Sequence, residues 1–264
     1  PPRSTLFPYT TLFRSQGTID EIIGDAILVI FGAPVACADH AAKAVACGLA
    51  MQLAMTEVNR RLAEKGAAEL EMGIGIHTGR VIVGNIGSER RTKYAAVGSN
   101  VNLAGRIESY TAGGQLLISE DARARVSAAL RIDGEFTVEP KGARQSLRLF
   151  EIGGIGEPFD LSLPDRSKSM IPLEPPLPAQ FTILEEKFVG RTVLEGAFTA
   201  INDGEGELRT EALLPVFSNL KISVLATAAA NPAGEIYAKV TMPKEEHACR
   251  SEERRVGKEC RSRW

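Results

Sequence analysis

Apolar positions change their spacing several times along this chain, and each change marks an element. Residues 17–34 read GTIDEIIGDAILVIFGAP: Ile19, Ile22 and Ile23 precede Gly24-Asp25, and Ala26 to Phe31 is a near-continuous apolar run. Two short strands around a Gly-Asp turn form a hairpin with a carboxylate at its tip. Asp39 then reads as the cap of a long helix, Ala41 to about Lys65, with Ala42, Val45, Leu49, Leu53 and Leu62 along one face and Gly66 just past its end. Met72 to His77 is apolar but broken by Gly73 and Gly75, the pattern of a buried strand that another backbone approaches closely. A second strand, Val81 to Val83, lies between Gly79 and Gly84, and a polar loop from Asn85 to Tyr94 leads to Gly98. A helix starts there with Ser99 or Asn100 as its cap and is broken by Gly113-Gly114. Gln115 to Ile118 is a strand. Ser119 caps a short helix with Glu120 and Asp121 in its first turn, where the helix dipole favours acids. Arg131 to Val138 and Leu147 to Ile152 read as a closing strand pair, with Lys141-Gly142 between them.

Beyond Ile155 the pattern changes. Residues 156–180 hold six prolines and read as a linker. Short strands follow at Phe181–Leu184, Val193–Ile201, Leu220–Ala226 and Ile236–Val240, with Asp203-Gly204 as a turn signal. They predict a small β-domain over 181–249.

The two ends carry a different signature. Residues 250–264 read, codon for codon, as the reverse complement of residues 1–15: the single Trp264 codon TGG complements to CCA, which encodes Pro1. A fold has no reason to encode such a palindrome, which looks like a sequencing adapter, so 1–15 and 250–264 are set aside as artefacts. The remainder, 16–249, holds 23 Lys/Arg against 30 Asp/Glu, and a net charge near −7 argues against a nucleic-acid partner. Cys37, Cys47 and Cys249 have no metal-site spacing, which suits a reducing, cytoplasmic setting. No apolar run approaches the length of a membrane span.

Candidate chemistry gathers between Met72 and Arg106. Asn102 and Arg106 are four apart on one helix, so they share a face near its start. An amide donor and a planar five-donor cation there suit a phosphate; the alternative is a solvated helix surface.

Taken together, Gly24-Asp25 after an apolar segment, FGAP, GIGIHTG, VGNIG and VGSNVNLAGR resemble the class III nucleotidyl cyclase catalytic domain over about residues 17–153. The resemblance implies an α+β fold, a ferredoxin-like mixed sheet flanked by helices, here followed by the small β-rich domain. It implies a phosphorus-oxygen lyase (adenylate or guanylate cyclase) that turns ATP or GTP into the 3′,5′-cyclic monophosphate and pyrophosphate for second-messenger signalling. Its sites are shared across a head-to-tail homodimer, and two Mg²⁺ or Mn²⁺ ions are held by two Asp residues. Carried over, Asp25 matches the second metal ligand, Asn102 the residue that orients the ribose, and Arg106 the arginine that the partner subunit sets on the phosphate. Lys141 matches a lysine that holds the triphosphate. The β-domain is weakly similar to PilZ-like barrels, without that family's ligand-reading motifs.

Two departures shape the expectation. The strand resembling F-x-D-I-x-G-F-T, which carries the first metal Asp, has no counterpart here, so this chain is expected to lack one metal ligand and to be inactive. At the base-reading pair stand Glu21, four residues before Asp25, and Ala95, three before Gly98. A carboxylate accepts from guanine N1–H and N2–H₂ and meets a lone pair at adenine N1. Ala95 offers no side-chain hydrogen bond. Glu21 leans toward GTP while the base stays open, and the mixed pair keeps a second class in play: a non-catalytic cyclase-like domain that binds nucleotide or a partner protein.

Overall fold

The computed structural model describes residues 15–88, 91–139, 146–164, 170–185, 188–189, 192–202, 205–214, 217–225, 235–245 and 258–263. The chain divides into two compact units, 1–165 and 166–264.

The first unit begins with the expected hairpin, β1 (Thr18–Ile23) and β2 (Ala26–Ile30), paired antiparallel. Helix α1 (His40–Ala63) follows. Asp39 stands at its N-cap position without capping it. Its carboxylate instead accepts from the Cys37 thiol at 3.0 Å and pairs with Lys43 at 3.1 Å. The central sheet runs β3 (Ile74–Ile76), β6 (Leu116–Ser119), β8 (Leu147–Ile155) and β7 (Leu130–Val138), with β9 (Leu161–Ser162) on β8. β3 and β6 are parallel and the other pairs antiparallel, a mixed sheet as expected.

Alternation along β3 sends its residues to two layers. Ile74 and Ile76 join Val45, Leu49, Leu116, Ile118, Phe150 and Ile152 in the core beneath α1. Each fully buried side chain of this size contributes about 1.5–3 kcal/mol. Gly73, Gly75 and His77 face the other layer, helix α2 (Ser99–Tyr110). Ser119 caps the short helix α3 (Glu120–Arg125) by accepting from Ala122 N, as read from the sequence.

Besides the Asp39 cap, three expectations change. Asn85 to Tyr94 is not a loop: β4 (Ile82–Ser88) and β5 (Arg91–Val97) form an antiparallel hairpin. Its residues are largely exposed and rich in Gly and polar side chains, so apolar alternation could not announce it. The N-cap of α2 is Gly98, not Ser99 or Asn100; at φ 147°, ψ 168° it holds a conformation essentially reserved for glycine. The third is the segment 156–180. Phe159, Leu161 and Leu163 pack on the first core, and β10 (Ile171–Glu185) already begins at 171. A register shift between Pro172 and Leu177 takes Pro175 and Pro176 out of the ladder with β12 (Leu194–Ile201), which is how a strand tolerates them.

The second unit is a closed antiparallel barrel. β10, β12 (Leu194–Ile201), β13 (Glu205–Thr210), β16 (Lys258–Arg263), β15 (Glu235–Glu245) and β14 (Asn219–Val224) pair in that order, and β14 returns to β10. The two-residue β11 (Phe188–Val189) extends β10. Phe181, Phe198, Leu208, Leu220, Ile222 and Val240 fill the interior. β16 lies within the arm set aside above. It brings no large apolar residue and is held by backbone pairing to β13 and β15, which any extended segment can supply irrespective of its origin. The turn signal Asp203-Gly204 lies outside the described residues.

Candidate active site

The β1–β2 hairpin is held at two places. Ile19, Val29 and Phe31 pack on Cys47 and Met51 of α1. From the other side the Asp20 carboxylate accepts from Ala96 N at 3.2 and 3.4 Å, joining residues 76 positions apart. The turn uses Gly24 at φ 63°, a left-handed conformation that glycine adopts freely, and leaves Asp25 exposed at the tip. Because Asp20 meets Ala96, their neighbours Glu21 and Ala95 fall on adjoining elements. The structure adds a partner absent from the sequence reading: Lys93 Nζ lies 2.6 Å from Glu21 Oε1, with the two side chains 48% and 46% exposed. Such a half-exposed pair contributes about 0–1 kcal/mol to stability; its consequence is local charge. Lys93 is two residues before Ala95, on the same face of β5, so a hairpin reading of 85–94 would have found it.

Helix α2 lies directly on the backbone of β3. A Cβ at Gly75 would stand 2.2 Å from Glu108 N and 2.6 Å from its Cα; one at Gly73 would stand 1.9 Å from Thr111 Oγ1; one at Gly79 would stand 2.3 Å from Asn100 Nδ2. The three glycines of MGIGIHTG are therefore the floor on which α2 rests. Above it Asn102 and Arg106 are exposed on one face, while Ile107 is fully buried. Among the described residues no hydrogen bond or ion pair joins Asn102 or Arg106 to Glu21, Asp25 or Ala95. Lys141 lies outside the described residues.

Burial pushes the Cys47 thiol up, only partly offset by a hydrogen bond from Ser15. The thiol of Cys37 and then Lys43 hold the Asp39 carboxyl down. Neither group lies among the candidate residues. Asp25 offers hard carboxylate oxygen, the donor type that Mg²⁺ and Mn²⁺ take. No cluster of three His, Cys, Asp or Glu side chains able to hold an ion forms among the described residues. The donor type fits such an ion and the donor number is incomplete.

The first unit thus combines a mixed sheet with a hairpin that exposes a carboxylate at its tip and a helix that exposes an amide and a guanidinium on one face. Residues 13–152 match the family described as the adenylate and guanylate cyclase catalytic domain, and the chain belongs to that family. It is 32% identical over 142 residues to adenylate cyclase 1 of Rhizobium meliloti, covering 53% of this chain and 21% of the relative. It is 33% identical over 150 residues to an adenylate cyclase of Anabaena cylindrica, covering 53% and 28%. The chain thus spans under a third of the length of these curated relatives. Among solved structures, the guanylyl cyclase Cya2 is 51% identical with a TM-score of 0.57, over 59% of this chain and 79% of that one. The adenylyl cyclase CyaB from P. aeruginosa is 31% identical with a TM-score of 0.50, over 55% and 75%. No helix among the described residues is long and apolar enough to cross a membrane.

Proposed function

We propose that the protein from which this chain comes is a nucleotidyl cyclase with a lean toward GTP, acting as a cytoplasmic homodimer. The observation that carries the reading is the salt bridge of Glu21 to Lys93 on β5, the strand that also carries Ala95, with Asp25 at the tip of the Glu21 hairpin. Asp25 is one ligand of the divalent ions, which supply activation of the ribose 3′-hydroxyl and neutralisation of the triphosphate when bound. Asn102 orients the ribose, Arg106 holds the phosphate from the partner subunit, and Lys141 steadies the triphosphate. Glu21 keeps lone pairs free after meeting Lys93, so it accepts from guanine N1–H and N2–H₂ as well. The 51% identity to a guanylyl cyclase supports the same base.

A second copy of the chain is the natural cover for the two hairpins. Ile22, Ile23, Ile82 and Val97 are exposed there, with Ile82 at 71%. The present chain, with Asp25 alone of the expected two metal carboxylates, is proposed to be inactive by itself. The β-barrel is proposed as a PilZ-like packing or dimer-supporting module. The other reading, a non-catalytic nucleotide- or partner-binding domain, is favoured by Glu21 being already engaged by Lys93. Separation of the two is direct: the full-length parent protein is assayed with Mn²⁺ for cyclic nucleotide formation from ATP and from GTP. Cyclic product, with GTP at least equal to ATP in kcat/KM, supports the enzyme. Nucleotide binding with no product supports the regulatory domain.

A further inference from the structure

Between the sheet and the first turn of α2 runs a chain of polar contacts that the cyclase reading does not use. His77 Nδ1 lies 2.8 Å from Ser119 Oγ, and His77 Nε2 lies 3.1 Å from Asn100 Oδ1. Asn100 Nδ2 donates to Arg80 O at 2.8 Å. The direction of each bond follows from counting donors. Asn100 Nδ2 must face the Arg80 carbonyl, so Asn100 Oδ1 faces His77 Nε2 and accepts its proton; a neutral imidazole then accepts at Nδ1 from the Ser119 hydroxyl, whose oxygen also accepts from Ala122 N at 3.2 Å. Turning the imidazole proton to Nδ1 would set Nε2 against the Asn100 oxygen, acceptor to acceptor. Flipping the amide to cure that would set its oxygen against the Arg80 carbonyl. For a neutral imidazole, one arrangement alone satisfies every group.

The neighbouring histidine is arranged the opposite way. His40 Nδ1 faces the Cys37 carbonyl at 3.1 Å and must carry the proton there, so its Nε2 accepts from Thr78 Oγ1 at 3.0 Å. Successive residues of β3's C-terminal extension are thereby tied to different layers: Thr78 to His40 of α1, and His77 to both Ser119 and Asn100. Gly79 is the gap that lets Asn100 come down, since its absent Cβ would overlap the Asn100 amide.

We propose that His77, as the neutral Nε2–H tautomer, is a positioning residue that locks the first turn of α2 to the cap of α3 and so fixes where Asn102 and Arg106 stand. This rests on the reading of α2 as the ribose- and phosphate-facing helix. Asn102 is two residues beyond the anchored Asn100, its N–H bonded to Gly98 O at 3.4 Å, so freedom in this turn passes directly to its side chain.

Two measurements test it. Long-range ¹H–¹⁵N correlation NMR on the 264-residue chain reads the tautomers directly. The expected signature is a proton on Nε2 of His77 and on Nδ1 of His40 in one spectrum; Nδ1–H or averaged tautomers at His77 overturn the proposal. In the full-length parent, His77→Ala should speed hydrogen exchange at the Val101 and Asn102 amides. It should also lower kcat about tenfold to a hundredfold with KM little changed, the cost of a misplaced catalytic group. His77→Gln, whose side-chain amide can still donate to Asn100, should recover part of the loss. Arg106→Ala, run alongside, tests the underlying reading separately. If Arg106→Ala is inactive while His77→Ala keeps wild-type kcat and exchange, the positioning role is wrong. If Arg106→Ala stays active, the reading of α2 falls and the proposal with it.

Discussion

The seat of α2 on β3 makes Gly75→Ala the most informative single substitution in the first unit. The added methyl would lie 2.2 Å from Glu108 N, 2.6 Å from Glu108 Cα and 2.8 Å from Ile107 C. All three are main-chain atoms in the last turn of α2, so no side-chain rotation relieves the overlap. Ordinary carbon contacts begin near 3.5 Å, so α2 must lift by about 1 Å or β3 must sink. β3 cannot sink cheaply, because Ile74 and Ile76 already pack against the Val45–Leu49 core on its far side. Overpacking of this kind costs about 1–3 kcal/mol, or roughly 3–10 °C in Tm for a unit of this size. The same lift carries Asn102 and Arg106, and a 1 Å misplacement of catalytic groups can cost about 10²-fold in rate. The assay pairs thermal unfolding by circular dichroism with kcat in the full-length parent. Gly105→Ala is the internal control: it lies in the same helix with nothing within 4 Å of its absent Cβ, and should stabilise by about 0.4–1 kcal/mol. A Gly75→Ala protein as stable as the wild type would refute the close helix–strand contact and the account of the glycine motif with it.

Other outcomes follow from the same geometry. In the full-length parent, Asp25→Asn should abolish cyclase activity while leaving Tm within about 1–2 °C, because the residue is an exposed turn carboxylate whose substitution touches no packing. Mixing Asp25→Asn with Arg106→Ala subunits should restore part of the activity through one intact composite site, and proven heterodimers without activity would argue against shared sites. Glu21→Lys alone should work poorly as a base switch, since it sets a second ammonium beside Lys93; Glu21→Lys with Lys93→Ala should move the kcat/KM ratio toward ATP by about tenfold or more, one charged hydrogen bond's worth. Native-state alkylation at pH 7–8, followed by peptide mapping, should label Cys37 and spare Cys47. Burial holds the Cys47 proton on sulfur above the ordinary thiol range, so its reactive thiolate forms only at higher pH or on unfolding.

What the chain's own pattern determined is local. The Gly24-Asp25 hairpin, the long helix from residue 40 and the Ser119 cap each rest on contacts within a few residues, where spacing and turn chemistry act, and the central strands show as short apolar runs even though their pairing is long-range. The close-approach reading of Gly73 and Gly75 was also legible, because an interrupted apolar run in a strand has few other physical explanations. Tertiary structure decided the rest. The β4–β5 hairpin has little apolar alternation to read, since Ala96 is the one residue buried among those whose burial is described there. The Lys93–Glu21 pair depends on Asp20 docking 76 residues away, and the His77–Ser119 contact spans 42. The prolines of 172–178 read as a linker because a strand with a bulge at those positions gains its stability only from the barrel partners on either side. Periodicity records which side of an element is buried; it carries no information about which distant polar group will stand opposite, because that is fixed by the packing of whole layers.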